Sequence, residues 1–196
     1  MAQTPTSPWL KTWTTWFDDA RKAGIHNAEA MTLATTTARG IPAARIVLFK
    51  GMVRGGFAFY TNYGSRKAQE LDSHPRAALV FHWDPLERQI RIEGRVTRCT
   101  PAESDKYFAT RERGSQIGAW ASHQSSEITG RRQLERQVAE VEKRFAGQIV
   151  PRPEFWGGYR VVPTRIEFWQ GGEHRLHDRT VYALKAGKWK KTLLSP

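Results

Sequence analysis

The stretch LERQIRIEGRVTR, Leu86–Arg98, constrains the fold more than any other part of the chain. Ile90, Ile92 and Val96 fall on one side of an extended backbone, and Gln89, Arg91, Glu93 and Arg95 fall on the other. A period of two with one dry and one wet face marks a half-buried strand, the kind found in antiparallel sheets. The runs MTLATTT, ARIVLFKGM, GGFAFYTN and AALVFHW share its β-branched and aromatic character, and Gly- or Pro-bearing turns separate them. Strands resume at VVPTRIEFWQ, TVYAL and KWKKTLL. The expected fold is mainly β (α+β): one domain over residues 1–196, an antiparallel β-barrel with flanking helices.

Helices fill the gaps. Trp9, Leu10, Trp13, Trp16 and Phe17 recur at helical spacing, which predicts an amphipathic helix over 8–23 stopped by Gly24. SRKAQELDSHP reads as a short helix with Ser65 at its N-cap. Thr100-Pro101-Ala102-Glu103 is a capping box with proline at the first helical position. The helix it starts is expected to carry Tyr107 and Arg111 on one face, with Ser115 just past its end. A longer helix over 126–146 would bury Leu134, Val138, Val141 and Phe145.

Cys99 is the only cysteine, which rules out an internal disulfide or a cysteine-based zinc site and fits a reducing compartment. No segment approaches the ~20 apolar residues that cross a bilayer, and the N-terminus lacks a signal-peptide pattern. A cytoplasmic protein without a membrane partner is expected. The 31 basic and 19 acidic residues leave a charge of +12. That surplus attracts nucleic acids, membrane surfaces or phosphorylated metabolites, and bulk charge does not choose among them.

Several clusters place cations or hydroxyls at strand ends and helix starts. Arg45-Ile46-Val47-Leu48-Phe49-Lys50 reads as a strand with a cation at each end. Tyr60 and Thr61 precede Ser65-Arg66-Lys67, where a helix N-terminus already favours an anion. Tyr107, Arg111 and Ser115 offer a phenol, a guanidinium and a hydroxyl, a second phosphate clamp. Gln124-Ser125-Ser126 at the start of the long helix is either an anion cap or an N-cap. Each cluster also reads as an ordinary solvated surface. The chain has no GxGxxG, GxxxxGK[ST] or GxSxG motif, so a Rossmann site, a P-loop or a nucleophile elbow is not expected.

The segment IEFWQGGEHRLHDR, Ile166–Arg179, admits three readings: a metal site, an anion site or a polar turn. Its two arginines oppose a divalent cation, and the Gly-Gly pair argues against a helical ligand motif, so no metal is expected. If the segment is extended, Arg175, His177 and Arg179 share one cationic face.

RIVLFK, FYTNYGSRKA, LERQIRIEG, KYFATRERGSQIGAW, ASHQSS, FWGGYRV and IEFWQGGEHRLHDR, in this order, resemble the motifs of the pyridoxamine 5′-phosphate oxidases. The resemblance runs from about Met31 to the final LLSP. It implies an FMN-binding split β-barrel, homodimeric, with flavin sites built from both subunits. The implied reaction oxidises pyridoxamine 5′-phosphate and pyridoxine 5′-phosphate to pyridoxal 5′-phosphate, with O2 as acceptor and H2O2 as product. Carried over by position, FMN would be held by Arg45, Ile46, Val47, Leu48, Phe49, Lys50, Tyr60, Thr61, Arg66, Lys67, Gln89, Gln124, Ser125, Trp169 and Arg179. The substrate would meet Lys50, Tyr107, Arg111 and Ser115 through its phosphate, and Arg175 and His177 at its reacting carbon. Glu173, His174 and Asp178 are left with structural roles. Neither nucleic acid nor membrane is an implied partner. Family members carry a basic, tyrosine-containing segment before the first helix; MAQTPTSPWLKTW offers no counterpart, so a substrate lid is expected to be absent. The competing reading is a non-catalytic flavin or pyridoxal-phosphate binder on the same fold.

Overall fold

The structure, a computed structural model, describes residues 7–196. Residues 1–6, which belong to the expected domain and to the segment read as lacking a lid, lie outside the described residues.

Nine antiparallel strands form one sheet. They are β1 (Ala30–Thr36), β2 (Pro42–Leu48), β3 (Met52–Val53), β4 (Gly56–Asn62), β5 (Arg76–Trp83), β6 (Arg88–Arg98), β7 (Trp156–Gln170), β8 (Asp178–Lys185) and β9 (Lys188–Leu194). The order is β2-β1-β5-β6-β7-β4-β3, with β8 on β7 and β9 on β8. The alternation in β6 holds: Ile90, Ile92 and Val96 are buried, and Arg91 and Arg95 are exposed.

β7 is the branch point of the sheet. Its first half pairs with β4, its second half with β8, and both halves with β6. A register shift at Glu93/Gly94, beside Pro163, lets one strand serve both directions. Gly94 is required there, because a Cβ would sit 2.2 Å from the Val162 carbonyl oxygen. The sheet curls closed where the Lys50 N–H donates to Ala58 O at 2.8 Å and the Ala58 N–H donates to Gly51 O at 3.0 Å.

α1 (Leu10–Lys22) plugs the barrel. The Trp13 ring lies 4.8 Å from Phe57 and from Phe81 and 5.3 Å from Phe49, an aromatic core of the edge-to-face kind. A second, smaller cluster of Phe108, Ile117, Phe145, Val150 and Trp156 joins the helical segments between β6 and β7 to β7. Among the described residues no helix is long and apolar enough to cross a membrane.

Several boundaries differ from expectation. Phe49 and Lys50 lie beyond β2, which ends at Leu48. β7 starts at Trp156, upstream of VVPTRIEFWQ, because Gly157 and Gly158 pair with Thr61 and Tyr60 instead of breaking the strand. α3 (Pro101–Ala109) has the capping box but stops before Arg111, and a separate α4 (Arg113–Ala121) follows. Ser115 therefore sits in the first turn of α4. The break is held by Gln116, whose side-chain amide donates to Phe108 O at 3.0 Å. α5 spans Arg131–Arg144, so Gln124-Ser125-Ser126 caps no helix. Its start is moved by Thr129, whose N–H and hydroxyl both donate to Gln133 Oε1, and by Gly130, at φ 150°. Of the expected stripe only Phe145 is buried, while Leu134, Val138 and Val141 are half-buried.

Candidate functional site

α2 (Arg66–Ser73), preceded by Ser65, sets the cationic end of the site. The Ala68 and Gln69 N–H groups donate to Ser65 O at 2.9 and 3.1 Å, and helix geometry leaves those of Arg66 and Lys67 without intrahelical acceptors. Lys67 turns back from this turn: Nζ donates to Gln124 Oε1 at 2.8 Å and to Thr61 Oγ1 at 3.1 Å. Its partners are neutral, so its charge is not cancelled by contact. Burial lowers the Lys67 pKa, and the nearby Arg45 charge lowers it further.

Beside this end lies a cavity of about 620 Å³, within the usual range for small-molecule sites. Ile46, Val47, Leu48, Lys50, Tyr60, Thr61, Lys67, Tyr107, Arg111, Ser115 and Gln124 all line it. The sequence had marked every one of these, although they come from four separate stretches. Ile46 and Leu48 present apolar side chains that are 63% and 40% exposed, which gives the cavity an open, greasy lip.

Aromatic rings build the far wall. Tyr60 stacks on Tyr107 with ring centroids 3.9 Å apart, and on Trp156 at 5.5 Å. Burial, with smaller contributions from neighbouring groups, pushes the Tyr60 phenol up to about 12, so it remains a neutral donor. Arg111 lies over Trp156, its guanidinium carbon 4.7 Å from the ring centroid. Although its helix ends early, the turn at Thr110 still delivers it beside Tyr107. Its Nη1 is buried and has no hydrogen-bond partner among the described residues. Burial lowers the Arg111 pKa, and Tyr107 partly opposes that effect. A buried donor without an acceptor is costly, and an anion in the cavity would satisfy it.

The other expected residues lie elsewhere. Arg45 donates through Nη2 to Glu70 at 2.7 Å and through Nη1 to Thr35. Arg66 donates through Nε to the same Glu70 at 2.9 Å. Phe49 is in the core against Trp13 and Phe17. Ser125 is exposed with φ 73°, and it lines a smaller neighbouring cavity of about 180 Å³.

Gln89, Trp169, Arg175, His177 and Arg179 do not line the larger cavity. Four of them form a second group on the β6–β7–β8 ladder. Gln89 pairs with Trp169, Trp169 with Arg179, and the His177 ring lies 4.6 Å from the Trp169 ring. The extended cationic face does not form. Glu173–Arg175 is a 3₁₀ turn, with His174 at φ 53° and Arg175 at φ 64°. The Gly172 N–H donates to His177 Nδ1 at 3.2 Å, which makes Nε2 the protonated nitrogen of a neutral His177 ring. Arg175 is exposed. Arg179 is engaged inside the chain, by Glu167 Oε1 at 2.7 and 2.9 Å and by Ser195 O at 3.0 Å.

Sequence reasoning missed Glu70 and Glu167, the buried carboxylates that hold these arginines, and the lining residues Asn62, Glu112, Ser122 and Trp156. Glu70 had a signal, its four-residue spacing from Arg66 on a helix.

Residues 17–145 match the family model described as pyridoxamine 5′-phosphate oxidase. Residues 156–196 match the pyridoxine 5′-phosphate oxidase C-terminal dimerisation region. A relative from Rubrobacter xylanophilus, named pyridoxine/pyridoxamine 5′-phosphate oxidase, is 57% identical over 92% of this chain and 83% of its own. The solved structure of PhzG from Burkholderia lata, in complex with tetrahydrophenazine-1-carboxylic acid, is 32% identical with a TM-score of 0.92, covering 98% of this chain and 94% of that one. A pyridoxamine 5′-phosphate oxidase-related, FMN binding protein from Nostoc punctiforme has a TM-score of 0.79 at 16% identity, covering 98% of this chain and 100% of that one; at that identity it shows the fold alone.

Proposed function

Because this chain belongs to the pyridoxamine 5′-phosphate oxidase family, we infer that it is an FMN-dependent oxidase converting pyridoxamine and pyridoxine 5′-phosphates to pyridoxal 5′-phosphate. The observation that carries this reading within the site is Arg111 Nη1, a buried donor facing a phosphate-sized need for an acceptor. The rest of the cavity fits the cofactor: an apolar lip at Ile46–Leu48, stacked aromatics, and a Lys67–Thr61–Gln124 corner with no carboxylate in contact.

Bound FMN supplies hydride acceptance, with O2 taking the electrons and leaving as H2O2. On this reading the protein binds, orients and excludes water. Lys67, Thr61 and Gln124, with Arg66 beside them, hold the cofactor phosphate. Arg111, Tyr107, Ser115 and Lys50 hold the substrate phosphate, which fixes the distance from that anchor to the reacting carbon. Tyr60 contributes a neutral ring face. His177, with Nδ1 engaged by Gly172, offers Nε2–H as a donor toward the substrate ring, and Arg175 adds positive charge there. No carboxylate is assigned as a general base.

A homodimer completes the site. The Trp169–His177–Arg179 group and the cavity are separate surfaces of one chain, and the exposed Ile46 and Leu48 at the lip suit a partner's cover. The match of residues 156–196 to a dimerisation region supports this assembly, with each flavin held between subunits. The test is direct. FMN-loaded protein should turn pyridoxamine 5′-phosphate, O2 and water into pyridoxal 5′-phosphate, ammonia and equimolar H2O2, and should lose its flavin absorbance when substrate is added without oxygen. Protein that binds FMN and is reduced by neither substrate would be a binder instead.

A further inference from the structure

Among the described residues Glu70 is the one side chain hydrogen-bonded to both Arg45 and Arg66. Its residue is 4% exposed, yet it is charged, and among the described residues its carboxylate accepts hydrogen bonds from Thr35, Arg45 and Arg66 alone. Oε2 accepts from Arg45 Nη2 at 2.7 Å and from the Thr35 hydroxyl at 2.5 Å, while Oε1 accepts from Arg66 Nε at 2.9 Å. The two arginines differ in what this leaves them. Arg45 is tied on several sides, its Nη1 reaching Thr35 and the carbonyls of Leu33 and Ala43. Among the described residues Arg66 is held by Nε alone, and its side chain is 66% exposed, which leaves its two terminal nitrogens available to a ligand. Lys67 is the next residue, its ammonium among neutral acceptors.

We propose that Glu70 is a positioning residue for phosphate recognition: it pins Arg66 by Nε so that the outer edge of the guanidinium stands ready beside Lys67. The inference rests on the reading that this corner takes the cofactor phosphate. One carboxylate against Arg45, Arg66 and Lys67 leaves two positive charges, which matches the charge of a phosphate monoester dianion. A side chain as long as arginine, unpinned and mostly exposed, would lose much of its rotamer freedom on meeting the ligand. Glu70 removes that freedom in advance, and its burial among core residues keeps it from moving. Burial pushes the Glu70 carboxyl up, but hydrogen bonds from Thr35, Arg45 and Arg66 outweigh burial and hold it below its usual range, so it is ionised at neutral pH.

The test compares two flavins that differ only in the phosphate. FMN and riboflavin are titrated into the flavin-free protein, with the quenching of flavin fluorescence as readout, for wild type, Glu70→Gln and the near-isosteric Thr35→Val. Glu70→Gln should weaken FMN about tenfold and leave riboflavin within twofold. Thr35→Val, which removes the hydroxyl that donates to Glu70 and accepts from Arg45 but leaves every charge in place, should weaken FMN a few-fold with the same indifference to riboflavin. Unchanged or tighter FMN binding in both variants would overturn the positioning role, as would parallel losses for the two flavins, the mark of general damage. If Glu70→Gln does not fold, Thr35→Val decides the matter. Wild-type protein that binds FMN no better than riboflavin would sink the phosphate reading itself, a different failure from variants that leave an existing preference intact.

Discussion

Arg111→Met should separate substrate recognition from stability. The substitution keeps an unbranched side chain over Trp156 and removes the charge. Two opposing contributions act on the ligand-free protein. Losing a buried donor without a partner relieves about 1–3 kcal/mol. Losing the guanidinium over Trp156 and Phe108 costs about 0.5–2 kcal/mol. These nearly cancel, and at about 2–4 °C per kcal/mol for a chain of this size Tm should stay within roughly 4 °C of wild type. The phosphate has no such compensation. A hydrogen bond to a charged group contributes about 1.5–3 kcal/mol, and at about 1.4 kcal/mol per factor of ten its loss raises KM roughly 10- to 150-fold. Steady-state kinetics with pyridoxamine 5′-phosphate measures this, and phosphate-free pyridoxamine is the control, since its kcat/KM should not fall. An unchanged KM would refute the clamp. A Tm drop of ten degrees would refute the premise that Nη1 lacks a partner.

Arg66→Ala combined with Lys67→Ala should raise the Kd for FMN at least tenfold, read by flavin fluorescence, with pyridoxamine 5′-phosphate KM changed less once FMN is saturating. Arg175→Ala and His177→Ala should each lower kcat tenfold or more while FMN Kd stays within twofold; equal losses in both would show that these residues serve the flavin. Gly172→Ala should behave like them, because its Cβ would lie 2.3 Å from the Leu176 carbonyl oxygen and the turn carrying Arg175 and His177 must move. For Glu70 the folded pKa is depressed, so its stabilisation is present above the unfolded value of about 4.3 and is lost as pH falls through the lower folded value. The Tm gap between wild type and Glu70→Gln at pH 7 should therefore shrink below about pH 4 by calorimetry.

The barrel was legible in the sequence because strands such as β5 and β6 alternate between a dry and a wet face, and β6 does so over most of its length. The cavity was legible for a related reason: its cations and hydroxyls sit at strand ends and helix starts, where side chains of different elements converge. The failures have physical causes too. The Arg175–His177 turn looked extended because alternation is the default beyond a Gly-Gly pair, and nothing local announces two successive left-handed residues at His174 and Arg175. The gap between α3 and α4 carries no proline, and its glycine, Gly114, falls inside α4; Gln116 makes it from the next helix. α5 starts late because Gln133 and Gly130 act together, which a Ser-Ser-Glu signal upstream conceals. Glu70 and Glu167 were missed for a deeper reason. A buried carboxylate is identified by the full set of guanidiniums it receives, and part of each set comes from a distant strand: Arg45 of β2 for Glu70 and Arg91 of β6 for Glu167.

Those carboxylates also account for the form the surplus charge takes. Glu70 receives Arg45 and Arg66, Glu103 receives Arg54 and Arg160, and Glu167 has Arg91, Arg165 and Arg179 within ion-pair distance. A carboxylate has two oxygens with about four lone-pair sites, so one acid can satisfy several arginines. A sheet fastened in this way carries more bases than acids with no anion bound. Lys50, Lys67 and Arg111 enter none of the ion pairs among the described residues, and all three line the same cavity. The net charge of +12 points nowhere in particular, whereas these three side chains point at one volume.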